Sequence, residues 1–188
     1  MTDLGNSFLQ SAIKRVAYYK DLGDKTFAQL NEASFYFKPN NENNSIAIII
    51  QHMAGNMLSR WTDFLTTDGE KEWRKRDTEF EEQPLSHKQL IDFWEKGWAC
   101  FLDTLQQLTP DDLLKTIYIR QEGLLVIDAI NRQLAHYPYH VGQIVYIAKI
   151  IKDQHWQSLS IAKGNSDQYN QQMFGKNNSR PPCIFLTY

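Results

Sequence analysis

Cysteine is almost missing from this chain. Cys100 and Cys183 are the only two, they stand far apart, and neither belongs to a Cys-x-x-Cys pair. That argues against a disulfide framework and fits a reducing compartment, with the cytoplasm as the expected location. Neither sign of charge prevails: 20 Lys and Arg face 22 Asp and Glu, for a formal charge of -2. A nucleic-acid partner held by a strong overall basic field does not fit that balance. No apolar run approaches the roughly 20 residues of a membrane span. The longest, Ile46 to Ile50, is far too short, so no membrane partner is expected. The N-terminal residues include Asp3 and no basic stretch ahead of an apolar block, and do not read as a signal peptide. Glycine (9) and proline (6) are scarce in 188 residues, and no internal repeat is present.

What remains is long, breaker-poor sequence with helical spacing of apolar residues, which predicts an all-α protein. Leu9, Ala12, Val16 and Tyr19 mark one face of a helix over about 3–31. Residues 38–44, Lys-Pro-Asn-Asn-Glu-Asn-Asn, read as a loop, and Ser45 as the N-cap of a helix over 46–66. That helix buries Ile46, Ile49, Ile50, Met53, Met57, Trp61 and Phe64. A polar connection of mixed charge, 67–86, reads as a solvated crossover. Ser86 and Gln89 stand in capping-box spacing and open a helix over 87–107, where Gly97 allows close backbone approach. Thr109-Pro110-Asp111-Asp112 starts a short helix. Residues 117–123 alternate and end in glycine, compatible with a hairpin or an extended connector. Ile127, Ile130, Leu134, Tyr137, Val141, Ile144, Ala148 and Ile151 define the clearest helix, over 126–152. Four amphipathic helices with one long connection predict an antiparallel four-helix bundle with a crossover between helices 2 and 3. The domain is expected over 1–175, with a short helix within 159–174, and 176–188 as a loosely packed tail.

The strongest chemical signal is His136-Tyr-Pro-Tyr-His140, whose i,i+4 spacing puts two imidazoles on one helix face. They share a polar stripe with Gln133 and Gln143, beside the apolar seam. His52, in an equivalent stripe with Asn56 and Ser59, is the natural third ligand. Neutral imidazoles suit Zn, Ni, Fe or Cu, the expected divalent ion is Zn or Ni first and Fe or Mn next, and three protein ligands leave positions open for reaction. A helical histidine pair can equally be surface or core residues bonded to neighbours. The Glu-x-x-His motif of di-iron bundles is absent from the helices. Pro138 between the two ligands predicts a kink or π-bulge. Asn56 and Gln143 are candidates to orient water or substrate, and Arg60 to bind an anionic group. Arg74 and Arg76 fit crossover ion pairs better. Trp61, Trp73 and Trp94 read as packing residues, His87 as exposed, and Cys100 as a small core residue rather than a nucleophile.

Three segments together resemble the DinB-like (DinB/YfiT-like) superfamily of four-helix metal-binding proteins, and within it an uncharacterised bacterial subgroup. They are Gln51-His52-Met-Ala-Gly-Asn56-Met-Leu-Ser-Arg60-Trp61, Glu70-Lys-Glu-Trp-Arg-Lys-Arg-Asp-Thr-Glu-Phe80 and His136-Tyr-Pro-Tyr-His140-Val-Gly-Gln143-Ile144. The resemblance covers roughly residues 5–175. It implies a divalent metal on His52, His136 and His140, a long crossover after the second helix, and a homodimer. It also implies a small-molecule substrate, with S-transfer from a low-molecular-weight thiol to an electrophile first and metal-dependent hydrolysis second. A metal-binding stress protein without turnover is the non-catalytic alternative. No carboxylate stands on the histidine stripes as a general base, which favours thiol chemistry, because a thiol ionises more readily than water.

Overall fold

The computed structural model describes residues 2–176. It is mostly helical, with one small two-stranded sheet. The chain divides into two compact units, one reaching Trp156 and the other beginning at Gln157. The first unit holds α1 (Thr2–Phe27), α2 (Ile46–Trp61), α3 (His87–Gln107), the strands β1 (Thr116–Ile119) and β2 (Glu122–Leu125), and α4 (Val126–Lys152). The second holds α5 (Ser166–Lys176), a short helix that overlaps the expected span 159–174 and runs two residues past it. The expected tail lies outside the described residues, apart from Lys176 at the end of α5.

Local chemistry sets most boundaries. Ser45 caps α2 by accepting from Ile48 N, and Ser86 with Gln89 forms the capping box of α3. Thr109, Pro110 and Asp112 make a capped 3-10 turn. The first helix is shorter than expected, ending at Phe27, because Asn31 caps a separate 3-10 turn over Glu32–Tyr36. The second is also shorter than the expected 46–66. It stops at Trp61, Thr62 is extended, and Asp63 takes a positive φ of 50°. Residues 117–125 are a hairpin rather than a connector, in register Ile117↔Leu124 and Ile119↔Glu122. α4 runs as unbroken α-helix across Pro138, without the expected π turn.

A single core joins α1, α2, α3 and α4, with α2 against α3 and α1 against α4 as the broadest contacts. Only Leu58 of α2 escapes burial. The helix is thus covered on both faces rather than one, because the 3-10 turn 32–36 and a second, Asp77–Phe80, close over it. The crossover is solvated along most of its length, as expected, but Gly69, Arg74 and Glu79 turn inward and are buried. Gly97 meets α2 directly, since a Cβ there would stand 2.9 Å from Ala54 Cα.

Candidate metal centre

α2 and α4 bring the three histidines together. Nε2 of His136 lies 3.4 Å from Nε2 of His52 and 3.0 Å from Nε2 of His140. One ligand atom from each ring lies within 4.8 Å of the others, a group that can hold a metal ion. His52 is buried and the other two are half-buried.

Each ring is held from behind by an oxygen. His52 Nδ1 lies 3.0 Å from Glu79 Oε2, His136 Nδ1 3.2 Å from Gln133 Oε1, and His140 Nδ1 2.9 Å from Gln143 Oε1. Amide and carboxylate oxygens only accept, so all three Nδ1 atoms donate. The neutral rings therefore turn three bare Nε2 lone pairs toward one another. Burial pushes the His136 imidazole down to about 3, with His140 and His52 beside it adding to the effect. Burial lowers His140 as well, against the hydrogen bond to Gln143. A proton is thus a poor occupant of the gap and a cation a good one. Nitrogens about 2.0–2.1 Å from a zinc-sized ion stand about 2.9 Å apart at right angles and about 3.4 Å apart at the tetrahedral angle. The two separations from His136 Nε2 match that range, so the residues fit the ion.

No carboxylate stands on the histidine stripes, as the sequence indicated, but Glu79 reaches His52 from off them and was missed. It comes from the crossover, where no helical stripe points to it. Burial alone would raise its carboxyl, but hydrogen bonds from His52 and Arg74 hold it below the usual carboxylate range. Arg74 donates from Nε to Oε1 at 2.7 Å and from Nη2 to Oε2 at 2.9 Å. Both oxygens are engaged, so Glu79 positions His52 and is not a free base. Gly55, three residues after His52, makes the room: a Cβ there would collide with the Glu79 carboxylate. Phe80 lies against the His52 ring, centroids 4.6 Å apart, and Arg76 sits over Phe80 at 5.0 Å.

The remaining candidates divide. Gln143 serves His140 directly. Asn56 instead accepts from the Tyr137 hydroxyl at 3.0 Å, inside the core. Burial raises that phenol, so it stays a neutral donor. Arg60, expected to meet an anion, is buried and donates from Nη1 to Gly69 O at 2.6 Å and Glu70 Oε2 at 2.8 Å, which ties it to the crossover. Trp61 and Trp94 are core residues, whereas Trp73, expected to pack, is 57% exposed. His87 is half-buried, edge-on to Phe35, rather than exposed. Burial raises the Cys100 thiol, as befits a packed residue rather than a nucleophile.

A helical fold with three histidines converging from two helices defines a candidate metal-binding protein. The chain belongs to the family described as protein of unknown function (DUF1572), whose model matches residues 3–165. That family is a DinB-like one. No curated protein and no solved structure matches the chain. Among the described residues, no helix is long and apolar enough to cross a membrane.

Proposed function

We propose that this chain is a divalent-metal-binding protein of the DinB-like four-helix-bundle type, with His52, His136 and His140 as ligands, acting as a metal-dependent S-transferase on a small electrophile. One observation carries the reading: three Nε2 lone pairs face one another at 3.0 and 3.4 Å while every Nδ1 donates to an oxygen behind it. That arrangement is costly without a cation and suited to one. A divalent ion on three neutral ligands supplies Lewis acidity that lowers the pKa of a thiol or water near it. Zn or Ni fits the imidazole set best, with Fe or Mn next. Glu79, Gln133 and Gln143 hold the rings in their ligating tautomer, and Phe80 covers one side of His52. Glu79 is fully engaged by Arg74 and His52, so it offers no free base to activate water. That favours a thiol co-substrate over hydrolysis. With the same reading goes a homodimer, which the exposed Tyr139 of α4 supports.

Metal analysis and calorimetric titration test the centre. Purified protein should carry about one equivalent of divalent metal per chain. His52→Ala should lower affinity as strongly as His140→Ala, and His87→Ala should leave it unchanged. Thiol-transfer assays with low-molecular-weight thiols, with and without metal, then test the reaction. Full metal binding in His52→Ala would overturn the ligand set, and metal-independent turnover would overturn the mechanism.

A further inference from the structure

Beside the histidine cluster lies a cleft of about 440 Å³, a volume typical of small-molecule sites. Gln143 joins the two. Its amide oxygen holds His140 Nδ1, and the same side chain lines the cleft. Ile49, three residues before His52 on α2, and Ile147, one turn beyond Gln143 on α4, are buried and give the cleft an apolar floor. Tyr146 and Ile150, both exposed, form its α4 side, and Glu42 with the neighbouring asparagines of the 38–44 loop forms the other.

The charge of the lining selects the ligand. It contains one acid, Glu42, and no lysine or arginine. Glu42 has no ion-pair partner among the described residues, and the nearby Lys38 is bound to Glu82 at 2.6 Å. A carboxylate or phosphate entering at the loop end would meet the solvent-exposed negative charge of Glu42. An ammonium would meet that charge and the ring of Tyr146, while its apolar body covered the isoleucines. We infer that this cleft binds a small organic substrate carrying an ammonium group on an apolar or aromatic body. Gln143 places the other end of that molecule next to the histidines. The inference rests on the metal-centre reading for what happens at that end, but not for binding in the cleft.

Two probes of similar shape and opposite charge, phenethylamine and phenylacetate, separate the outcomes when titrated by NMR into the full chain with and without zinc. The amine should bind about fivefold tighter, as one partly exposed ion pair allows, and should shift signals of Tyr146 and Ile147. Glu42→Gln should abolish the preference, and Ile150→Trp, which fills an exposed wall, should weaken both probes. Equal binding of the two, a preference that survives in Glu42→Gln, or shifts confined to other surfaces would overturn the inference. Zinc binding is measured in the same samples. Its failure would count against the metal centre, while the amine preference still decides the cleft.

Discussion

The histidine cluster depends on residues that never face the gap between its rings. Glu79 fixes the His52 tautomer and increases the donor strength of Nε2, as carboxylates behind metal-ligating histidines do. Glu79→Gln keeps a side-chain oxygen but loses the charge, and should weaken zinc binding about 10–100-fold by calorimetry. Retained affinity would remove Glu79 from the site. Acid should act on the metal-free protein through His136. Its folded pKa of about 3 lies below the ordinary histidine value near 6.5. Between those limits the unfolded chain takes up a proton that the native chain refuses, so stability falls as pH drops from about 6.5 toward 3. Thermal melts across that window should show the decline, with a shallower slope in His136→Asn. Two members of the cluster were legible in the i,i+4 spacing, and the third in the matching stripe of α2. Glu79 was not, because it sits in a mixed-charge connection with no periodicity. Its one sequence trace is Gly55, a glycine one turn past His52 in an apolar helix, whose purpose appears only once the carboxylate is in place.

Among the elements, those with strong caps or long periodicity were readable, as α3 and α4 show. The hairpin was ambiguous for a definite reason. Its turn, Arg120-Gln121, has positive φ at both residues, 56° and 63°, yet holds neither glycine nor asparagine. The compensation comes from far away in sequence. The Asp68 carboxylate accepts from Arg120 N at 2.8 Å and Gln121 N at 2.7 Å, and Gly69 N donates to Tyr118 O at 2.8 Å. Backbone hydrogen bonds from Glu70 first, then Gln121 and Arg120, hold the Asp68 carboxyl below its usual range. Asp68→Ala should cost roughly 1–2 kcal/mol, read as a lower melting temperature, while Asp111→Ala on a neighbouring turn serves as the near-neutral comparison. The shortened α2 has a similar explanation. Trp61 and Phe64 are both buried as expected, but helical spacing could not reveal that the backbone turns between them, at Thr62 and Asp63.

For the whole molecule, the proposed homodimer predicts a mass near twice 22.0 kDa by light scattering at micromolar concentration. Tyr139→Glu should shift it toward the monomer, and a wild-type monomer would set the dimer aside. A different consequence follows from where the ligands sit along the chain. His52 and His136 are 84 positions apart, so an ion between them is a removable staple across a long loop. Free ion at about 100 times its dissociation constant would add about 2.7 kcal/mol to the native state. For a chain of this size that raises the melting temperature by roughly 5–11 °C. Stability then becomes a gauge of metal supply. In a metal-starved cell, chains without their staple open most often and reach proteases first, so the amount of protein would follow the ion it carries.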